Sequence, residues 1–123
     1  MQRITFKDDL FALVKKGKKT QTRRLCKNNQ SDNFYKFLSG SSNNLQILAI
    51  NENGTDQKII QIESIKKDAL HNLTAKDLID EGMPYHPDIH IHMLPFTRLW
   101  FEIYGIDNWL SNPEVWVIKF NLA

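Results

Sequence analysis

The sequence predicts an α+β domain, a small closed or partly closed β-barrel with helices inserted between its strands. Three observations predict it. Apolar or alternating runs at residues 3–6, 45–50, 58–65 and 115–120 have the composition of strands. Segments with a 3.6-residue apolar period, beginning near residues 8, 74 and 96, read as helices between them. The strands are short and the two element types do not alternate regularly, and closure removes the edges that such strands would otherwise expose.

Each element has its own signals. RITF at residues 3–6 alternates as a short strand. Asp8 and Asp9 then open a helix in which Leu10, Leu13 and Val14 recur at i, i+3 and i+4, with Phe11 beside them. Lys15 and Lys16 fall in its last turn, where cations complement the helix dipole, and Gly17 supplies a left-handed end. Thr20 and Thr22 favour extended chain. The run FYKFL, between the polar stretches KNNQSDN and SGSSNN, reads as an apolar plug in a long excursion. LQILAI and KIIQIESI are stronger strands, with hairpin turn chemistry at Asn53 and Gly54. Thr74, with Asp77 three residues on, starts a helix through AKDLIDE that stops at Gly82. A loop rich in proline and histidine is predicted over residues 83–95. After it, Phe96, Leu99, Trp100, Ile103 and Tyr104 share one helical face, and VWVIKF is apolar enough to be a buried strand.

At 123 residues, with 41% hydrophobic and 24% charged residues, the chain is expected to form one domain over 1–123 with a single core. No apolar run is long enough to span a bilayer, and the opening MQRITFKDD is too polar for a signal peptide. A lone Cys26 cannot make an internal disulfide, so a cytoplasmic location is expected, with no membrane partner. The net charge of +2 conceals an asymmetry. VKKGKKTQTRRLCK, residues 14–27, holds Lys15, Lys16, Lys18, Lys19, Arg23, Arg24 and Lys27 and no acid, so the rest of the chain is net negative. One concentrated basic stretch on such a body points to an anionic ligand met at one place. Lys15 and Lys16 have a helix end to explain them. The other five do not.

GKKTQTRR resembles the signature of the ASCH domain family within the PUA-like superfamily, on Gly17, Lys19, Thr22 and Arg24. LTAKDLIDEG, ending in Glu81 and Gly82, together with FTRLWFEIYG and NPEVWVIKF, is similar to the closing part of small ASCH proteins, many of them phage-encoded. The resemblance covers most of the chain outside roughly residues 27–57. It implies a PUA-like β-barrel whose cleft, lined by this motif, receives a nucleoside or RNA. Its motif residues are also similar to those of the bacterial N(4)-acetylcytidine amidohydrolases. That likeness implies Lys19 as proton acceptor, Thr22 as nucleophile and Glu81 as proton donor, with no cofactor.

Those roles are chemically coherent. Amide hydrolysis needs a nucleophile, a base for its proton and an acid for the leaving nitrogen. Lys19 is a base only when neutral, and burial with neighbouring Lys16, Lys18, Arg23 and Arg24 is expected to lower its pKa, against an opposing Glu81. In a regular strand Lys19 and Thr22 point to opposite faces, so the triad requires a bend between Gly17 and Thr22. Thr22 and Arg24 share a face without one.

Arg23, Arg24, Tyr85 and Trp109 are the candidate substrate-binding residues, two for charge and two for base stacking. Trp100 and Trp116 lie on apolar faces and read as core. His86, His90 and His92 would make a metal set only if the chain there is extended, and with no acidic or thiolate partner no metal is expected. Cys26 reads as a packed thiol. The main alternative to the amidohydrolase is a non-catalytic RNA-binding module, or a ribonuclease, gripping phosphates with Lys19, Arg23 and Arg24. A host protein as partner is a third.

Overall fold

The computed structural model describes residues 1–41 and 45–123; residues 42–44 of the SGSSNN stretch lie outside them. The strands β1 (Arg3–Phe6), β2 (Gln21–Leu25), β3 (Gln46–Asn51), β4 (Gln57–Ala69) and β5 (Glu114–Leu122) form one sheet, in the order β1-β3-β4-β5-β2. β1 and β3 pair in parallel and the other neighbours antiparallel. The edge strands β1 and β2 do not pair with each other, yet Arg24 Nη2 on β2 donates to the Thr5 carbonyl on β1 at 2.8 Å. The sheet has therefore curled until one side chain spans its two edges. It is a partly closed barrel with an open seam.

β5 explains why the last apolar run is a strand. Trp116, Ile118 and Phe120 face the barrel interior with Ile4, Phe6, Ile47 and Ile60, while Val115 and Val117 face a second apolar layer. Each such side chain contributes about 1.5–3 kcal/mol through burial, so a strand buried on both faces has little room for polar residues. β4 runs further than its apolar stretch because Lys66, Lys67, Asp68 and Ala69 continue to pair with β5 past a register shift between Ile62 and Ser64.

The helices are α1 (Asp8–Lys15), α2 (Asn33–Ser39), α3 (Ala75–Asp80), α4 (Ile89–Tyr104) and α5 (Ile106–Leu110). α1 buries Phe11 and Val14 in the barrel core, as its periodicity predicts. α3 has the full capping box between Thr74 and Asp77. The plug FYKFL is a short helix, α2, preceded by a 3₁₀ turn over Gln30–Asp32, with Leu38 buried. The larger departure is α4, which starts at Ile89 inside the stretch predicted as loop. Asp88 caps it by accepting from the His90 N–H, and Pro95 sits within it. A proline there leaves the Ile91 carbonyl without its helical donor. Ile91 is exposed, so water can serve that carbonyl. α3 and α4 cover the outer face of β5 through Leu78, Phe96 and Trp100. Among the described residues no helix is long and apolar enough to cross a membrane.

Candidate functional site

Two helix ends position the central residues. α1 ends in a Schellman motif: Lys18 N–H donates to the Leu13 carbonyl at 2.9 Å and Gly17 N–H to that of Val14 at 3.0 Å, with Gly17 at φ +74°. α3 ends the same way, with Met83 N–H to Leu78 at 3.0 Å, Gly82 N–H to Ile79 at 2.9 Å, and Gly82 at φ +90°. The chain leaving α1 is tied between the end of α3 and β5, because Thr20 N–H donates to Asp80 O at 2.8 Å and Thr20 O accepts from Phe120 N–H at 2.9 Å. Lys19 therefore lies in the bend before β2 and escapes strand alternation. A Cβ on Gly82 would stand 3.1 Å from Leu13 Cδ1 and 3.3 Å from Lys19 Cβ, so glycine also admits the close approach of the two segments.

Lys19 is 3% exposed and Glu81 2%. Lys19 Nζ donates to Gln21 O at 2.7 Å, to Glu81 O at 2.8 Å and to Glu81 Oε1 at 3.4 Å. Three acceptors suit an ammonium. Burial nevertheless pushes the Lys19 pKa below its ordinary value of 10.5; Glu81 opposes this and Arg24 reinforces it. The expected charge crowding is thus a lesser cause than burial. Lys16 and Lys18 are exposed.

Sequence reasoning missed a second layer behind Glu81. Gln21 is fully buried and donates from Nε2 to Glu81 Oε2 at 3.0 Å and to Asp77 Oδ1 at 3.4 Å. Arg23 follows on the same strand face, 3.6 Å from Asp77 Oδ2 and 4.0 Å from Glu81 Oε2, and donates to Asn72 O at 3.4 Å. Asp77 is pushed up by burial, but its bonds to Thr74, with Arg23 and Gln21, hold its carboxyl below the ordinary value. The i, i+2 spacing of Gln21 and Arg23 was a usable signal of a shared face; their partners on α3, more than 45 residues away, had none. Arg23 and Lys19 are thus buried against carboxylates, and Lys15 pairs with Asp56 at 2.6 Å. The basic stretch does not form one exposed patch.

Thr22 and Arg24 lie on the opposite, inner face of β2, opposite Ile118 and Trp116. Arg24 Nε donates to Thr22 Oγ1 at 3.3 Å, and its guanidinium carbon stands 5.2 Å from the centre of the Phe6 ring. Lys19, Thr22, Arg23, Arg24 and Glu81 all line one cavity of about 150 Å³ at the barrel seam, closed on its far side by Phe96, Trp100 and Tyr104 of α4.

Two candidate binding residues lie outside this cavity. Tyr85 is exposed and sets its ring edge-on to His92, at 5.4 Å between centres; Trp109 on α5 packs on His71 at 4.6 Å and near Phe96. Neither lines the cavity. The histidine set also fails in its premise, because His90 and His92 belong to α4, where residues two apart diverge around the helix. Among the described residues no three His, Cys, Asp or Glu side chains converge as a metal site. Cys26 is buried, and burial with nearby Asp32 raises its thiol pKa, as suits an inert packed group.

No protein-family model matches the chain, and no curated protein matches it in sequence. Solved structures do resemble it. An Enterococcus faecalis protein assigned to DUF984 matches over 100% of this chain and 76% of its own, with a TM-score of 0.65 and 14% identity. The ASCH domain of a Lactobacillus crispatus protein matches over 98% of this chain and 78% of its own, with a TM-score of 0.55 and 16% identity. The fold is ASCH-like.

Proposed function

We propose that the chain is an amidohydrolase that removes the acyl group from N(4)-acylated cytidines. The observation that carries this reading is the convergence of Lys19, Thr22 and Glu81 on one small cavity, with Lys19 buried enough to disfavour its charge. In the proposed reaction Thr22 Oγ1 attacks the acyl carbon and gives its proton to neutral Lys19 Nζ. Arg24, already beside Thr22 Oγ1, stabilises the negative oxygen that forms. Protonated Glu81 donates to the cytosine exocyclic nitrogen, the carbon–nitrogen bond breaks, and cytidine leaves with Thr22 acylated. The proton on Lys19 then passes to Glu81, restoring the neutral amine and the acid; water attacks the ester and gives a proton to Lys19, which hands it to Thr22 Oγ1 as the carboxylic acid leaves.

The Lys19–Glu81 contact lets one proton serve both roles. Shifted from Nζ to Oε1 across 3.4 Å, it turns an ion pair into a neutral amine and a neutral acid, the base and the acid that the reaction needs. Burial, which disfavours the charge on Lys19, lowers the cost of that transfer. Gln21 and Arg23 fix the other carboxylate oxygen.

The RNA-gripping alternative relied on Lys19, Arg23 and Arg24, and the first two are committed to buried carboxylates. That contrast is the reason for ranking the hydrolase first. Release of cytidine from N(4)-acetylcytidine, followed by chromatography with no added metal, tests the proposal. The parent should release it and Thr22→Ala should lose nearly all of that release while keeping the parent's circular dichroism spectrum. Equal rates in parent and Thr22→Ala would overturn it.

A further inference from the structure

The reaction cavity, at about 150 Å³, is smaller than the roughly 300–1,000 Å³ typical of sites that enclose a small-molecule ligand. An acylated nucleoside must therefore extend beyond it. Two neighbouring depressions adjoin it, and they differ in character. On one side Arg24 and Tyr104 also line a pocket of about 230 Å³ that Lys27, Ser31 and Tyr35 make polar. On the other, Leu10 and Leu99 also line a groove of about 490 Å³ between α1 and α4, whose walls include Leu13, Met83, Pro84 and Pro95. Leu10 and Leu99 are half-buried, so each has one side toward each space. The exposed ion pair of Lys7 with Glu102, at 3.3 Å, straddles the same boundary, Lys7 lining the cavity and Glu102 the groove.

An N(4)-acylcytidine has the same two-sided character. Its ribose carries hydroxyls that need hydrogen-bond partners, and the hydrocarbon chain beyond its acyl carbonyl is apolar. We infer that the α1–α4 groove is the subsite for an extended apolar acyl chain, the ribose lying toward Arg24 and Tyr104, so that this protein acts on N(4)-acylcytidines with acyl groups longer than acetyl. The inference rests on the hydrolase reading for the identity of the ligand. The groove itself stands on the shared leucines and the apolar walls. Leu13 and Gly82 belong both to the groove and to the contact that seats Lys19, so a chain lying there would reach the reacting groups without rearranging them.

The experiment compares N(4)-hexanoylcytidine with N(4)-acetylcytidine. The parent should turn over the hexanoyl compound with a kcat/KM at least about tenfold higher, the smallest gain that one well-enclosed methylene supplies. Arg98, exposed on the rim of the groove, is the position for blocking it. Arg98→Trp should remove the preference and leave acetyl turnover within about twofold of the parent, since Arg98 lies outside the reaction cavity. Calorimetric binding of both compounds to Thr22→Ala reads the groove without turnover, and the hexanoyl compound should bind more tightly there too. Equal turnover and equal binding of the two compounds, or a preference unchanged in Arg98→Trp, would overturn the subsite. A binding preference in a parent that cleaves neither compound would keep the groove and sink the hydrolase.

Discussion

Replacing Glu81 with glutamine takes the anion away from a buried ammonium and disturbs little else. Lys19 Nζ keeps its backbone acceptors at 2.7 and 2.8 Å, and Arg23 keeps Asp77 at 3.6 Å. What is lost is the carboxylate at 3.4 Å, between side chains each 3% exposed. Two charges at that separation attract by about 5 kcal/mol at an effective dielectric of about 20. Removing one member of a buried pair costs about 3–5 kcal/mol for the same reason. Lys19 has an escape, because it can shed its proton. Its folded pKa already lies below the unfolded 10.5, and losing Glu81, which raises it, moves it lower. A group with a lowered folded pKa binds fewer protons folded than unfolded, so stability rises with pH until the unfolded lysine also titrates. Glu81→Gln should therefore cost about 3–5 kcal/mol near about pH 7, and progressively less toward pH ~10. Urea unfolding at the two pH values measures both numbers. A loss below about 1 kcal/mol, or one that ignores pH, would refute the picture of a charged, buried pair.

Three further outcomes follow from the same geometry. Gly82→Ala puts an L-residue at φ +90° with its Cβ 3.3 Å from that of Lys19; it should cost about 1–2 kcal/mol in thermal unfolding and lower turnover at least about tenfold by shifting Lys19. Because the reacting pair holds one proton shared between Lys19 and Glu81, and the Lys19 pKa lies below 10.5, kcat/KM should fall with rising pH as that proton is lost, the fall beginning below that value; a profile still flat there would contradict a lowered pKa. Salt-dependent affinity for a short RNA, read by anisotropy at two ionic strengths, should come from exposed Lys16, Lys18 and Lys27, each contributing about one to the slope, whereas Arg23→Ala should act by lowering the unfolding midpoint.

β1, β3, β4, β5, α1 and the capped start of α3 were legible because each depends on local periodicity and on residues within one turn, whereas β2 showed only as extended chain at Thr20 and Thr22. The odd spacing of Lys19 and Thr22 was legible as a demand for a bend, and Gly17 meets it by ending α1 before β2 begins. What stayed hidden was set by distant partners. Nothing near Gln21 or Arg23 reveals that α3 will present Asp77 and Glu81 to them, so Arg23 read as a substrate-binding cation. The stretch before Pro95 read as loop because proline usually ends a helix, whereas here the freed carbonyl belongs to an exposed turn. That misreading also placed His90 and His92 in extended chain.

The most direct test of the account is the Lys19→Arg variant assayed on N(4)-acetylcytidine. Arginine preserves a positive charge beside Glu81 and cannot release its proton at working pH. If Lys19 is the base, the folded variant, confirmed by its circular dichroism and unfolding midpoint, releases no cytidine above background at any pH at which the parent is active. Hydrolysis by Lys19→Arg at the parent's rate would mean that Lys19 supplies charge alone, and the proposed mechanism would be wrong.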